Sequence, residues 1–156
     1  MKADSGILYA IATGLYSGKS PFAPGTIGTL AGVILVLLTS YFSLTVQIFF
    51  FIFLLVIGVI AAEYHERSTG ISDAGEVVID EIAAYYLVML FFPATFFNLF
   101  WAFVLFRIFD IVKPFPIKRL EEIGGGVGVM LDDLAAGVYA IAGMYIIHLI
   151  TWMATW

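Results

Sequence analysis

At 156 residues, with 62% hydrophobic and 12% charged side chains and a mean hydropathy of +1.05, the chain has too little polar surface to coat a globule in water. Soluble domains run about 45–50% apolar and about 25% charged. A net charge of −5 excludes nucleic-acid binding, which needs a basic footprint, and the absence of cysteine excludes disulfides, thiolate–zinc sites and cysteine nucleophiles.

The length fits a single domain, residues 1–156, and its solvent is expected to be lipid. Span length and helix breakers then predict the elements in chain order. Residues 5–17 are too short to span and read as an interfacial or re-entrant helix. Residues 18–26 (GKSPFAPGT) form a Gly/Pro loop, and residues 27–42 a first span. Residues 45–62 make a second span with no charge at all. A polar loop over residues 63–76 holds Glu63, His65, Glu66, Arg67, Asp73 and Glu76. Residues 77–92 are a third span, 93–98 a tight turn, and 99–112 a short fourth span broken by Pro114 and Pro116. Gly124, Gly125 and Gly126 read as a flexible link ahead of a fifth span at 129–153. The expected fold is an all-α polytopic membrane bundle of about five segments plus the N-terminal interfacial helix.

With five spans, all seven Lys/Arg fall on one side: Lys2, Lys19, Arg67, Arg107, Lys113, Lys118 and Arg119. The twelve Asp/Glu fall there too, and the opposite turns carry no charge. The excess of Lys and Arg makes that side cytoplasmic. Tyr41, Phe97, Trp101, Trp152 and Trp156 suit an interfacial belt at the other ends.

Acids at the margins of membrane helices are costly to desolvate and point to function. Asp80-Glu81 open the third span, Asp110 lies near the end of the fourth, and Asp132-Asp133 lie near the start of the fifth. Neighbours on a helix diverge by about 100°, so one acid of each pair can face the bundle while the other meets a neighbour. Carboxylates converging from several helices suit a hard divalent cation such as Mg²⁺. The plainer reading is that they form ion pairs with Arg107, Lys113 and Arg119, or cap helix starts; for Glu76 in its polar loop that reading is preferred. Arg107, Asp110 and Lys113 share one helix stripe, either an ion-paired structural stripe or a phosphate cradle. Lys113 precedes Pro114, which places it at the helix end. The loop before the first span, with Lys19 and Thr26, ends at a helix N-terminus of the kind that binds anions. Gly28/Gly32 and Ala136/Ala140 have helix-packing spacing. His65 and His148 read as isolated, His148 without catalytic work.

Four stretches together resemble the phosphatidylglycerophosphatase A family: SGKSPFAPGTIGTLAG (17–32), VIDEIAAY (78–85), FRIFDIVKPFPI (106–117) and GGVGVMLDDLAAG (125–137). They occur in family order across most of the chain. The resemblance implies a Mg²⁺-dependent lipid phosphatase of the bacterial inner membrane that converts phosphatidylglycerophosphate to phosphatidylglycerol and phosphate at the cytoplasmic face. On that basis Asp80, Glu81, Asp132 and Asp133 are expected to hold Mg²⁺, directly or through water. Asp110 would complete the site or orient water, and Lys19, Thr26, Arg107 and Lys113 would bind the phosphate. The nucleophile is water or an aspartate carboxylate. The alternatives are a phosphatase of another membrane phosphomonoester and a non-enzymatic ion transport protein. A transporter would place charge near the midplane and often shows internal repeats; here the charge is one-sided and no repeat is seen.

Overall fold

The computed structural model describes residues 6–155; Lys2 and Trp156 lie outside them. The described residues form seven α-helices and one 3-10 turn, with no strand. They are α1 (Ile7–Ala12), the turn Ser17–Lys19, α2 (Pro24–Thr39), α3 (Leu44–Thr69), α4 (Ile79–Met89), α5 (Phe96–Val112), α6 (Ile117–Glu121) and α7 (Gly125–Met153).

Local chemistry sets the boundaries. Pro24 occupies the first turn of α2, where its missing N–H costs nothing. α3 ends on Gly70, whose left-handed backbone lets its N–H reach the Glu66 carbonyl at 2.8 Å. Thr95 caps α5 by accepting the Asn98 N–H. Lys113 ends α5 in a left-handed conformation directly before Pro114, at the helix terminus where the proline puts it.

Three expectations are corrected. The polar loop begins at Gly70, not residue 63, because α3 runs on to Thr69 with a Glu63–Arg67 ion pair four residues apart along its surface. The third span shrinks to the 11 residues of α4. The glycine run is no flexible link: Gly125 and Gly126 are the first residues of α7, and the Gly126 N–H donates to Glu63 Oε2 at 2.8 Å. Two helices, α3 and α7, are long and apolar enough to cross a membrane, and α2 is a shorter apolar helix of 16 residues.

α4 lies at the centre. Nine of its 11 residues are buried, as expected of a helix enclosed on all sides. It packs on α2, α7, α3 and α5, while α7 also packs on α3, α5 and α6. Gly28 sits against Val78, and Gly32 against Ile82 and Tyr85, so this small pair does close α2 onto α4. Ala136 and Ala140 are fully buried in α7. By contrast α3 turns Phe49, Ile52, Phe53, Val56 and Ile60 outward. Contiguous apolar surface of this kind marks contact with something other than water.

The ends of the bundle differ. Ser40, Leu44, Gln47, Phe92 and Pro93 line an uncharged cavity of ≈ 310 Å³ where the 40–43 and 90–95 turns meet. Near it His148 Nε2 lies 2.9 Å from Asn98 Oδ1 and stacks on Phe92, so this histidine is paired and structural.

At the charged end α7 approaches α3 so closely that a Cβ on Gly126 would collide with the Val59 carbonyl and the Glu63 backbone. Neither contact is a flexible side-chain tip. Gly126→Ala is therefore expected to cost about 1–3 kcal/mol by overpacking. Gly75→Ala, where nothing lies within 4 Å, should leave thermal unfolding unchanged; equal midpoints for both variants would refute the close approach.

Candidate active site

Five elements meet at one cavity of ≈ 250 Å³, four of them bringing charge. Pro24 and Gly25 come from the start of α2, Asp73 and Gly75 from the 70–78 loop, and Asp80 and Glu81 from the start of α4. Arg107 and Asp110 come from the end of α5, with Lys113 at its cap, and Asp132 and Asp133 from α7.

Within it, Asp80, Glu81 and Asp133 each offer a carboxylate oxygen within 4.8 Å of the others. Asp80 and Asp133 are buried, at 5% and 4% exposure. Glu81 Oε2 and Asp133 Oδ2 are buried without a hydrogen-bond partner. Buried carboxylates at this spacing repel, and a cation relieves that repulsion. Three hard oxygen donors, with no histidine or cysteine joining the group among the described residues, fit Mg²⁺ better than a transition metal.

The two adjacent-acid pairs behave differently. Asp133 enters the carboxylate trio, while Asp132 turns away and accepts from Lys113 Nζ at 2.7 Å. That is the divergence expected of helix neighbours. Asp80 and Glu81 instead both enter the trio, the longer Glu81 side chain supplying the reach. Asp132 is thus placed as an ion-pair partner beside the trio, not within it.

Arg107 bridges the cavity. Its Nη1 lies 2.6 Å from Asp110 Oδ2 and 3.7 Å from Glu81 Oε1, and its Nε is buried without a partner. A Cβ on Gly25 would overlap Glu81 Oε1 and crowd both terminal nitrogens of Arg107. Glycine therefore lets the first turn of α2 lie directly on this pair. The N–H groups of that turn lack intrahelical partners by position and face an anion favourably.

The remaining predicted residues lie elsewhere. Lys19 and Thr26 are not among the residues lining the cavity. The Lys19 ammonium sits 4.8 Å above the Tyr9 ring. Tyr9 belongs to a second polar cluster: its hydroxyl donates to Glu76 Oε2 at 3.1 Å, and His65 Nε2 lies 2.8 Å from Glu76 Oε1. His65 is 1% exposed and stacks on Tyr9, so it is not isolated. Burial pushes the Glu76 carboxyl up, but the bonds to His65 and Tyr9 outweigh it, and the group sits below the ordinary glutamate value. Glu76 is thus structural, tying the 70–78 loop to α1 and α3. Asp73 is the cavity residue that helix periodicity could not find, because it sits in a turn.

Residues 10–148 match the family described as Phosphatidylglycerophosphatase A. The chain belongs to that family. It is similar to the Phosphatidylglycerophosphatase A of Haemophilus influenzae, with 35% identity over 90% of this chain and 88% of that protein. It is also similar to the Phosphatidylglycerophosphatase A of Escherichia coli K12, with 33% identity over 89% and 82%. A Bacteroides thetaiotaomicron protein named "Putative phosphatidylinositol-3-phosphatase" is 40% identical over 90% of this chain and 92% of its own length. No solved structure matches the chain. The chain is therefore a phosphoric monoester hydrolase by family.

Proposed function

We propose that this chain hydrolyses phosphatidylglycerophosphate to phosphatidylglycerol and inorganic phosphate, with Mg²⁺, as a step of phospholipid biosynthesis. The observation that carries the reading is the carboxylate trio sharing one cavity with Arg107 and Lys113, in a member of the phosphatidylglycerophosphatase A family. The one-sided charge and the outward apolar faces support a multi-pass protein of about five membrane segments in the inner membrane, with this cavity at the cytoplasmic face. There the phosphate of a lipid whose acyl chains stay in the leaflet would lie.

Asp80, Glu81 and Asp133 would hold the metal ion. When bound, it would neutralise charge on the phosphoryl group and favour deprotonation of water. Arg107 and Lys113 bind phosphoryl oxygens while keeping their carboxylate partners. Asp110 holds the Arg107 fork in orientation, and Asp132 does the same for the Lys113 ammonium. The amides at the start of α2 face the phosphate. Water attacks phosphorus, the bond to the glycerol oxygen breaks, and the proton given up by the water ends on that oxygen, which leaves as the alcohol. Single-turnover hydrolysis in heavy-oxygen water should place the label in the released phosphate, with no acyl phosphate trapped. A labelled aspartyl peptide would replace water by a carboxylate as the attacking group.

The Bacteroides relative supports a second substrate, a phosphoinositide monoester. Purified protein should be assayed with Mg²⁺ on phosphatidylglycerophosphate, phosphatidylinositol 3-phosphate and phosphatidic acid in parallel. The primary reading expects the first to be hydrolysed fastest and EDTA to abolish release. Preference for the inositol lipid would shift the substrate, and no release from any of them would overturn the function.

A further inference from the structure

Asp73 carries no role in the reaction as written, yet it lines the active cavity with the carboxylate trio. It also lines an adjoining polar cavity of ≈ 210 Å³ with Ser72, Gly124, Val129 and Asp132. The backbone delivers it by a turn, with φ of 47° at Asp73 itself. Just downstream the chain is pinned: the Val77 N–H donates to the Ala74 carbonyl at 2.8 Å, the Val78 N–H to the Ala12 carbonyl at 2.9 Å, and Glu76 accepts from Tyr9. Three carboxylates do not complete the shell of Mg²⁺, which keeps several waters. Those waters need acceptors. Arg107 and Lys113 only donate, Asp132 is held by Lys113, and Asp110 is divided between Arg107 and Asp133. Asp73 is the remaining acid of the lining, and it is open to solvent. Asp133 Oδ2, buried and without a partner in the same cavity, independently points to a cation there.

We propose that Asp73 is a further metal-site residue, accepting hydrogen bonds from water on the loop side of a divalent cation held by Asp80, Glu81 and Asp133. This rests on the metal reading of the trio. The test is Mn²⁺ binding to the detergent-solubilised full chain without lipid, followed by electron paramagnetic resonance. Asp73→Asn should weaken Mn²⁺ binding about 10-fold, the low end of what outer partners of metal ligands contribute. Asp73→Glu should recover most of the loss. Wild-type affinity in Asp73→Asn, alongside lost affinity in Asp133→Asn, would overturn the role of Asp73 and leave the trio standing. Absence of Mn²⁺ binding by the wild-type chain would overturn both.

Discussion

Asp133→Asn is expected to lower Mg²⁺-dependent phosphate release by about 100-fold or more, the scale set by losing a preorganised charge in a catalytic site. The folded protein should not suffer. Asp133 is 4% exposed, packed against Asp80 and Glu81, with one oxygen lacking any partner. Asparagine keeps the shape and removes a repelling charge, so the metal-free variant should melt no lower than wild type. Mg²⁺ should then raise the wild-type midpoint by mass action, by about 2.7 kcal/mol at 100-fold excess over Kd, and leave the variant nearly unmoved. Equal Mg²⁺ stabilisation of both proteins would show that the ion binds elsewhere.

Arg107→Lys tests the other half of the site. Lysine keeps the charge and loses the planar fork. Arg107 faces Asp110 at 2.6 Å and Glu81 at 3.7 Å while lining the cavity. A single ammonium cannot hold that arrangement and also grip two phosphoryl oxygens. Losing one charge-assisted hydrogen bond costs about 1.5–3 kcal/mol, or about 10- to 100-fold in kcat/KM. Asp110→Asn should cost less, and the double variant less than the product of the two, because both act through one contact. A kcat/KM within threefold of wild type for Arg107→Lys would confine Arg107 to a structural role.

The legible part of the site was the part written in helix geometry. Adjacent acids must diverge, and Asp132 and Asp133 do, one to Lys113 and one to the trio. A residue before proline leaves the helix, and Lys113 does. One-sided charge announced that the helix ends would meet, and Pro24, Asp80, Arg107 and Asp132 line one cavity. Residues outside regular helix were not legible. Lys19 and Asp73 carry equally plausible charges, but a turn has no period, and tertiary contacts decide which one reaches the cavity. The glycine run departs from its sequence pattern for a different reason. Glycine serves both a loose link and the tightest of contacts, and only the position of Val59 on a neighbouring helix separates the two. His65 looked isolated because its partners, Tyr9 and Glu76, are distant in sequence.

The lining of the cavity also sets an order of assembly. Asp73, Asp80, Glu81, Asp110, Asp132 and Asp133 face only Arg107 and Lys113. A phosphate dianion diffusing in the plane of the leaflet would meet six acids and two basic side chains, a balance that a bound divalent ion would tip in its favour. On the metal reading proposed above, the divalent ion therefore docks first. Lipid capture is then conditional on metal supply, and a rapid mix of lipid plus Mg²⁺ with metal-free protein should show a lag that preincubating the protein with Mg²⁺ removes.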